Sequence, residues 1–479
     1  MRKDALLLIG GLAFALLCAI AILKQHYEVL ALPFVIGVVY LSLKRLDILL
    51  LAIVFFTPLS LNLEDLEMGG IGFYFPTEPL LFGVLGIFIL KILSGKSIDP
   101  VIYKHPIAIF TYVFLGWTFF TSLTSEMPVV SFKFLLAKMW YIGPMFFLLV
   151  HIFKKKENMD KFILLYVLSL MIVIIYTVIQ HSGFGFDKQS GHVVMKPFFK
   201  DHTSYGAVIA MFLPVIVGKL FSGSAKLYLR IFMVSAFIVI LVGLILSYTR
   251  AAWVSVIAGA AIFFVLWLRI KLNAILATLV LMIGFFFVFQ DQILINLERN
   301  DQDSSDNLTE HAESISNVST DASNLERLNR WNCALEMWKE RPILGWGPGV
   351  YQFVYAPFQR SNDLTIISTN NADLGNAHSE YLGPLSEQGL PGMLIMIALV
   401  YLVTAMSFRM YFTQTNKETR VLLTSVYIGL MTYFIHGLVN NYLDSDKASV
   451  PFWGFLAILV AIDLFHSKKA SARLDLTAE

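Results

Sequence analysis

Long apolar blocks separated by short polar breaks dominate the chain. A bilayer core accommodates a helix of roughly 20 mostly apolar residues. By that length the pattern predicts spans near 5–23, 28–43, 46–62, 78–94, 105–124, 130–152 and 161–181. Further spans are predicted near 203–221, 228–248, 251–269, 272–290, 388–408, 420–440 and 449–466. Some early blocks are short or closely spaced, so the expectation is an all-α polytopic membrane bundle of about 12–14 transmembrane helices. The first block, MRKDALLLIGGLAFALLCAIAIL, starts basic like a secretory signal. It has no small-x-small cleavage site and many spans follow, so it is read as a retained helix.

One long interruption breaks the pattern, at 291–387. It opens with NLERNDQDSSDNLTEHAESISNVSTDASN (296–324), rich in Ser, Asn and Asp and read as an insert. Order is expected from 325, where Leu325, Leu328, Trp331, Leu335 and Trp338 recur at three-to-four spacing, one face of a helix. Arg327 falls at the edge of that stripe, beside Trp331 and Trp338, and Arg330 lies further round. Pro342 and then Gly345, Gly347, Pro348 and Gly349 end the helix in a turn. Two readings fit the stretch: an amphipathic helix on the membrane surface with solvated arginines, or a helix that holds a ligand. The division expected is an N-terminal bundle of about eleven spans over 1–290, a large loop with helices and candidate motifs over 291–387, and closing helices with a short tail over 388–479.

Composition agrees: 57% of the residues are hydrophobic and 15% charged, against about 25% charged in soluble domains. The net charge of +2 hides a patterned distribution. Basic groups fall at Lys44/Arg45, Lys91/Lys96/Lys104, Lys154/Lys155/Lys156/Lys161, Lys219/Lys226/Arg230, Arg269/Lys271, Arg409/Lys417/Arg420 and Lys468/Lys469/Arg473, alternating with loops poor in Lys and Arg. Because basic loops stay cytoplasmic, both termini are expected inside, and 182–202 and 291–387 outside. Cys18 and Cys333, one in an apolar run and one in a polar loop, suggest neither a disulfide framework nor a thiolate metal site. There is no P-loop, no G-x-G-x-x-G and no H-E-x-x-H, so neither ATP use, a nucleotide cofactor nor zinc proteolysis is suggested. No nucleic-acid partner is expected.

Several polar residues sit where apolar ones would be ordinary. Arg250, in LSYTRAAW (246–253), stands between two apolar runs at the outer membrane edge. Ionisable residues within membranes often mark function, although near the interface a loop arginine is unremarkable. His378, in NAHSEYLGPLSEQGLPG (376–392), is a natural general base near neutral pH or an exposed loop histidine. Glu380 could orient it, or be a solvated acid. In KDHTSYGAVIAMFLP (200–214), Asp201 or Thr203 suits a helix cap, and Lys200 could face a substrate. Asp444 and Asp446 form a D-x-D, and 301–303 reads DQD; such pairs hold divalent ions elsewhere, but the spacing is common by chance.

The outer-edge arginine, the R-x-x-x-W helix with G-W-G-P-G, and A-H-S-E-Y-L followed by E-x-G-L-P-G occur in a recognisable order. In this the sequence resembles the O-antigen ligase and Wzy-type O-antigen polymerase superfamily of bacterial membrane glycosyltransferases, over about 200–445. The resemblance implies a GT-C-like fold in the bacterial inner membrane, with no metal or other cofactor and the loop in the periplasm. It also implies transfer of a glycan from undecaprenyl pyrophosphate to an acceptor hydroxyl. On it, Arg250 and Arg327 are implied to bind the carrier's pyrophosphate and His378 to assist the acceptor, with Lys200, Trp331 and Glu380 as possible substrate contacts. The junction reads Tyr-Thr-Arg where the family has Ser-Arg, and Ser379 follows the histidine where Asn is common.

The chemistry is coherent. Guanidiniums stay charged in a partly dry site and bind phosphate strongly, so they can stabilise the departing pyrophosphate. Asp444 and Asp446 are therefore discounted as metal ligands, and Arg330 and Arg341 keep the ordinary reading. The expected acceptor is a lipid A-core glycolipid. A glycan repeat unit (polymerase) or a protein (O-linked oligosaccharyltransferase) are the rivals within the class, and a polysaccharide transporter is the rival outside it.

Overall fold

Apolar segments in a bilayer must satisfy their backbone polar groups internally, which favours helices, and helices are what the apolar blocks form. A computed structural model describes residues 32–63, 73–95, 98–222, 227–278, 322–360 and 375–467, with single residues or short pieces among 14–29 and at 281, 364 and 368. The helices are α1 (Leu32–Lys44), α2 (Leu46–Phe56), α3 (Thr77–Leu93), α4 (Pro106–Leu123), α5 (Pro128–Ile142), α6 (Lys156–Ser182) and α7 (His202–Phe221). They continue with α8 (Leu227–Leu246), α9 (Arg250–Trp267), α10 (Ala322–Glu340), α11 (Leu382–Thr413), α12 (Lys417–His436) and α13 (Asp446–Phe465). Among the described residues the only strands are β1 (Leu61–Asn62) and β2 (Tyr74–Phe75), paired antiparallel. The chain is an all-α polytopic membrane protein.

Eight described helices are long and apolar enough to cross a membrane: α4, α5 with its extension to Ile152, α6, α7, α8, α9, α11 and α13. The predicted spans at 28–43 and 46–62 are the shorter apolar helices α1 and α2. Those at 78–94 and 420–440 are helical as α3, 17 residues long, and α12, which opens with Lys417, Glu418 and Arg420. The predicted spans at 5–23 and 272–290 lie largely outside the described residues, as does the polar insert at 296–324. The chain divides into two compact units, Met1–Ala52 and Ile53–Glu479, and every helix from α3 onward belongs to the second.

Helix ends follow local chemistry. α4 and α5 each start with a proline, which has no N–H to leave unpaired. At the far end of α5, Pro144 lies in a π-helical turn over Gly143–Leu148, where the helix widens without breaking. Central helix α7 is covered on nearly every side, by α8, α9, α12 and α13. Small residues allow its close crossing with α12: a methyl on Gly218 would stand 2.6 Å from Ser425 Cβ, and one on Gly429 2.5 Å from the Met211 carbonyl. At one end of the bundle, basic residues pair with acids: Lys154 with Asp99 at 2.7 Å, Lys156 with Glu418 at 3.0 Å, Arg409 with Asp463 at 2.6 Å, and Lys219 with Asp160. These are the residues whose clustering in sequence suggests a cytoplasmic face.

Helix α10 forms where expected but turns a different face inward. Leu325, Leu328, Trp331, Leu335 and Trp338 are only half-buried. The covered face is Glu326, Asn329, Arg330, Cys333, Ala334 and Met337, which has the same three-to-four spacing. Its lower half packs with Tyr351, Tyr355 and Ala377 in a small core within the loop. The polar half is tolerated because its charges are paired: Arg330 Nε donates to Glu326 Oε1 at 2.6 Å, and its guanidinium lies 3.9 Å from the Tyr355 ring centre. Cys333 is thus a core residue rather than a polar-loop one. Arg330 and Arg341 are not merely solvated either: Arg341 donates to Glu126 at 2.7 Å and lies over Trp346.

The glycine-rich turn after α10 docks on the start of α11. Trp346 and Gly347 donate N–H bonds to the Ser386 and Glu387 carbonyls at 3.1 and 2.8 Å, and Leu390 donates to Pro342 at 2.9 Å. This approach requires glycine on both sides. Gly345 (φ +65) faces the Glu387 carbonyl and Gly389 (φ +71) faces the Ile343 carbonyl, with no room for a Cβ at either. Gly345→Ala and Gly389→Ala are therefore expected to destabilise the protein, by about 1–3 kcal/mol from backbone conformation alone. Gly116→Ala, at a site with open space, is the neutral comparison. Thermal unfolding in detergent checks the ranking, and equal melting temperatures for all three would refute this account of the turn.

Candidate functional site

The polar residues opposite the basic end gather around the first turn of α7. Asp201 caps that helix, its Oδ1 accepting N–H bonds from Thr203 at 2.9 Å and Ser204 at 2.8 Å, as the capping reading of KDHTS expects. Arg250 arrives from the α8–α9 turn. Tyr248 there has a left-handed backbone (φ +48), and Thr249 Oγ1 donates to the His202 carbonyl at 2.8 Å, fixing the start of α9 beside the start of α7. Arg327 arrives from α10, and its Nε donates to the Val439 carbonyl at 3.3 Å in the α12–α13 turn. That turn also reaches α7, through a hydrogen bond between Tyr442 OH and Thr203 Oγ1. The charges of both Arg250 and Arg327 act on the His202 ring, which stacks on His192 with centroids 4.1 Å apart. Two arginines 77 positions apart in sequence thus share one neighbour.

His378 completes the group. Its backbone is left-handed (φ +45), unusual for a residue with a Cβ. Asn376 Oδ1 accepts its N–H at 3.0 Å, and its carbonyl faces Trp331 Nε1 at 3.5 Å. Such strain persists only where surroundings fix it, and it collects at functional sites. Ser379 Oγ accepts the N–H groups of Tyr381 at 3.2 Å and Leu382 at 3.3 Å, so serine supplies the start of α11. Burial first, then the charges of Arg327 and Arg330, press the His378 pKa down to about 4, against the opposing pull of Glu326 and Asp201. The imidazole is neutral at physiological pH.

The remaining candidates divide. Trp331 touches the His378 loop through its indole N–H, and Lys200 is exposed just ahead of the Asp201 cap. Glu380 turns its carboxylate to the α12–α13 turn: its Oε1 accepts bonds from Tyr433 OH at 2.5 Å, Tyr442 N at 2.9 Å and Leu443 N at 3.1 Å. The D-x-D acids part company. Asp444 pairs with Lys138 at 2.7 Å, while fully buried Asp446 accepts from Ser60 Oγ at 2.5 Å and from Thr77. Among the described residues no three His, Cys, Asp or Glu side chains are grouped to hold a metal ion. An apolar groove of about 720 Å³ between α4 and α11, lined by Phe110, Trp117, Pro391 and Leu394 among others, includes none of these polar residues. Sequence reasoning missed His436 and Tyr442, on which the charge of Arg327 acts, and His192, which stacks on His202; none of them stands in a motif.

A membrane bundle with a cationic, histidine-bearing centre at its helix ends is the class this geometry defines. A family model described as O-antigen ligase matches residues 234–397, about a third of the chain and a range that contains Arg250, Arg327 and His378. Over that range the chain is similar to the O-antigen ligase family. No curated protein matches the chain.

The electrostatics yield a pH prediction. Removing a neighbouring cation relieves the charged imidazole, so Arg327→Gln should raise the His378 pKa from about 4 towards the ordinary value near 6.5. The unfolded chain takes up this proton near 6.5 and the folded one near 4. The histidine's contribution to stability is therefore present above the first value and lost as pH falls to the second. Nitrogen-15 histidine spectra of labelled protein in nanodiscs, assigned with His378→Asn, read the midpoint directly. An ordinary midpoint in the wild type, or an unmoved one in the variant, would refute this picture.

Proposed function

We propose that the chain transfers a glycan from undecaprenyl pyrophosphate to an acceptor hydroxyl, and that the acceptor is the core sugar of lipid A-core, as in O-antigen ligation. The observation that carries the reading is that the charges of Arg250 and Arg327 both reach His202 in the first turn of α7 and that of Arg327 also reaches His378, within the range of the family match. In this reading the acceptor oxygen attacks the anomeric carbon, the bond from that carbon to the pyrophosphate oxygen breaks, and undecaprenyl pyrophosphate leaves with the electron pair. Arg250 and Arg327 bind the pyrophosphate and stabilise the charge it gains, which is where charge-assisted, often bidentate bonds are strongest.

His378 takes the proton of the acceptor hydroxyl. In the resting site burial, and after it the charges of Arg327 and Arg330, suppress its basicity. The donor's negative charge offsets them, so the imidazole becomes a better base when the donor is bound. Lys200 and Trp331 line the approach as further substrate contacts. The site lies opposite the end where Lys154, Lys156, Lys219 and Arg409 gather. By the preference of basic residues for the cytoplasm, this supports cytoplasmic termini and a periplasmic site in the inner membrane.

In a deletion strain complemented with Arg250→Ala, Arg327→Ala or His378→Ala, lipopolysaccharide gels are expected to lose the long-glycan ladder while each variant accumulates normally in the membrane. Full ladders from all three would overturn the assignment. The deletion strain itself separates acceptors. Loss of all glycan on core marks a ligase, single-repeat capping marks a polymerase, and normal lipopolysaccharide with unglycosylated proteins marks a protein-modifying enzyme.

A further inference from the structure

Arg327 sits on the carbonyl of Val439, in a turn with no regular structure of its own between α12 and α13. A ligand-binding guanidinium held by a loose turn would lose its aim, so what fixes residues 437–443 matters. One half-buried side chain does most of it. The Glu380 carboxylate gathers Tyr442 N–H, Leu443 N–H and Tyr433 OH on a single oxygen, and Glu380 N–H donates to the Gly437 carbonyl at 2.8 Å. The turn is therefore tied at both its ends to a residue two positions beyond His378. Packing leaves little slack, since a methyl on Gly437 would stand 3.1 Å from Glu380 Cγ. Lys138 Nζ holds the Leu443 carbonyl at 2.8 Å from the other side, and Tyr442 passes the constraint to Thr203 beside Asp201.

We infer that Glu380 is a positioning residue, setting Arg327 and His378 at their working separation by clamping the 437–443 turn to the His378 loop. The inference rests on the pyrophosphate reading of Arg327. Glu380 bonds the 437–443 turn rather than the guanidinium itself. It acts through Val439, and the carboxylate's acceptor geometry matters more than its charge. Glutamine offers the same acceptor oxygen. Alanine offers none, and aspartate is one methylene too short.

The test uses the full chain in nanodiscs, with donor isolated from a strain lacking the protein and lipid A-core as acceptor. Glu380→Ala and Glu380→Asp should lower kcat/KM by about 100-fold, the scale of a misplaced catalytic group. Glu380→Gln should stay within about tenfold of wild type. Coupling separates positioning from mere stability: in an Arg327→Lys background, already impaired, Glu380→Ala should cost little more, because the contact it serves is gone. Losses that simply multiply would overturn the inference. So would a Glu380→Ala enzyme with wild-type kinetics beside an impaired Arg327→Lys, which leaves the pyrophosphate reading standing. A fully active Arg327→Lys would instead overturn that reading and this inference together. If Glu380→Ala does not accumulate, Gly437→Ala presses on the same side chain and should lower kcat/KM with the carboxylate intact; an unchanged value overturns the inference.

Discussion

Taking a charge out of water is costly unless partners replace the lost solvation, and this constraint organises the polar end of the bundle. Each buried charge there has its own compensation. Arg330 has Glu326 and the Tyr355 ring, Glu380 has two backbone N–H groups and a phenol, and Lys138 has Asp444 and a carbonyl. Lys447, at the foot of α13, is held by the Thr57 and Ser60 carbonyls at 2.6 and 2.7 Å and by Ser60 Oγ at 2.5 Å. The bonds of Lys138 and Lys447 join elements hundreds of residues apart, so local irregular stretches inherit rigidity from the bundle.

Against that background Arg250 and Arg327 stand out by location. Both lie only half-buried at helix ends around one turn, where an anionic ligand can be reached from outside the bundle. Burial first, and then the charges of Arg327 and Arg330, keep His378 neutral. A site with arginines beside a suppressed base is poorly set for chemistry when empty and better set when an anion arrives. Binding and activation are then one electrostatic event.

Much of this was legible in the sequence. Blocks of about 20 apolar residues give the helices because the bilayer leaves the backbone few alternatives. Arg250, Arg327 and His378 stood out because motif order marks them. The buried face of α10 was misjudged because hydropathy ranks Leu and Trp above Glu, Asn and Arg, whereas pairing decides which polar residues can be covered. Glu326 and Arg330 are four apart, and that spacing was the available clue. Glu380 was harder to read. Two of its partners are backbone N–H groups some sixty residues away, and no side-chain pattern announces a bond to a main chain. The His192–His202 stack likewise depends on where two loops meet.

The break at Gly389 has a mechanical consequence. Leu390 gives its N–H to Pro342 rather than to the helix, so the ladder of bonds along α11 is interrupted there. The short piece that follows the His378 loop is thus fastened to the glycine turn and to α10, while the long piece beyond Pro391 belongs to the membrane. Spanning helices tilt to match the thickness of the bilayer around them. With the joint at Gly389, such tilting is absorbed below the site, and the histidine keeps its register with the arginines as lipid composition varies.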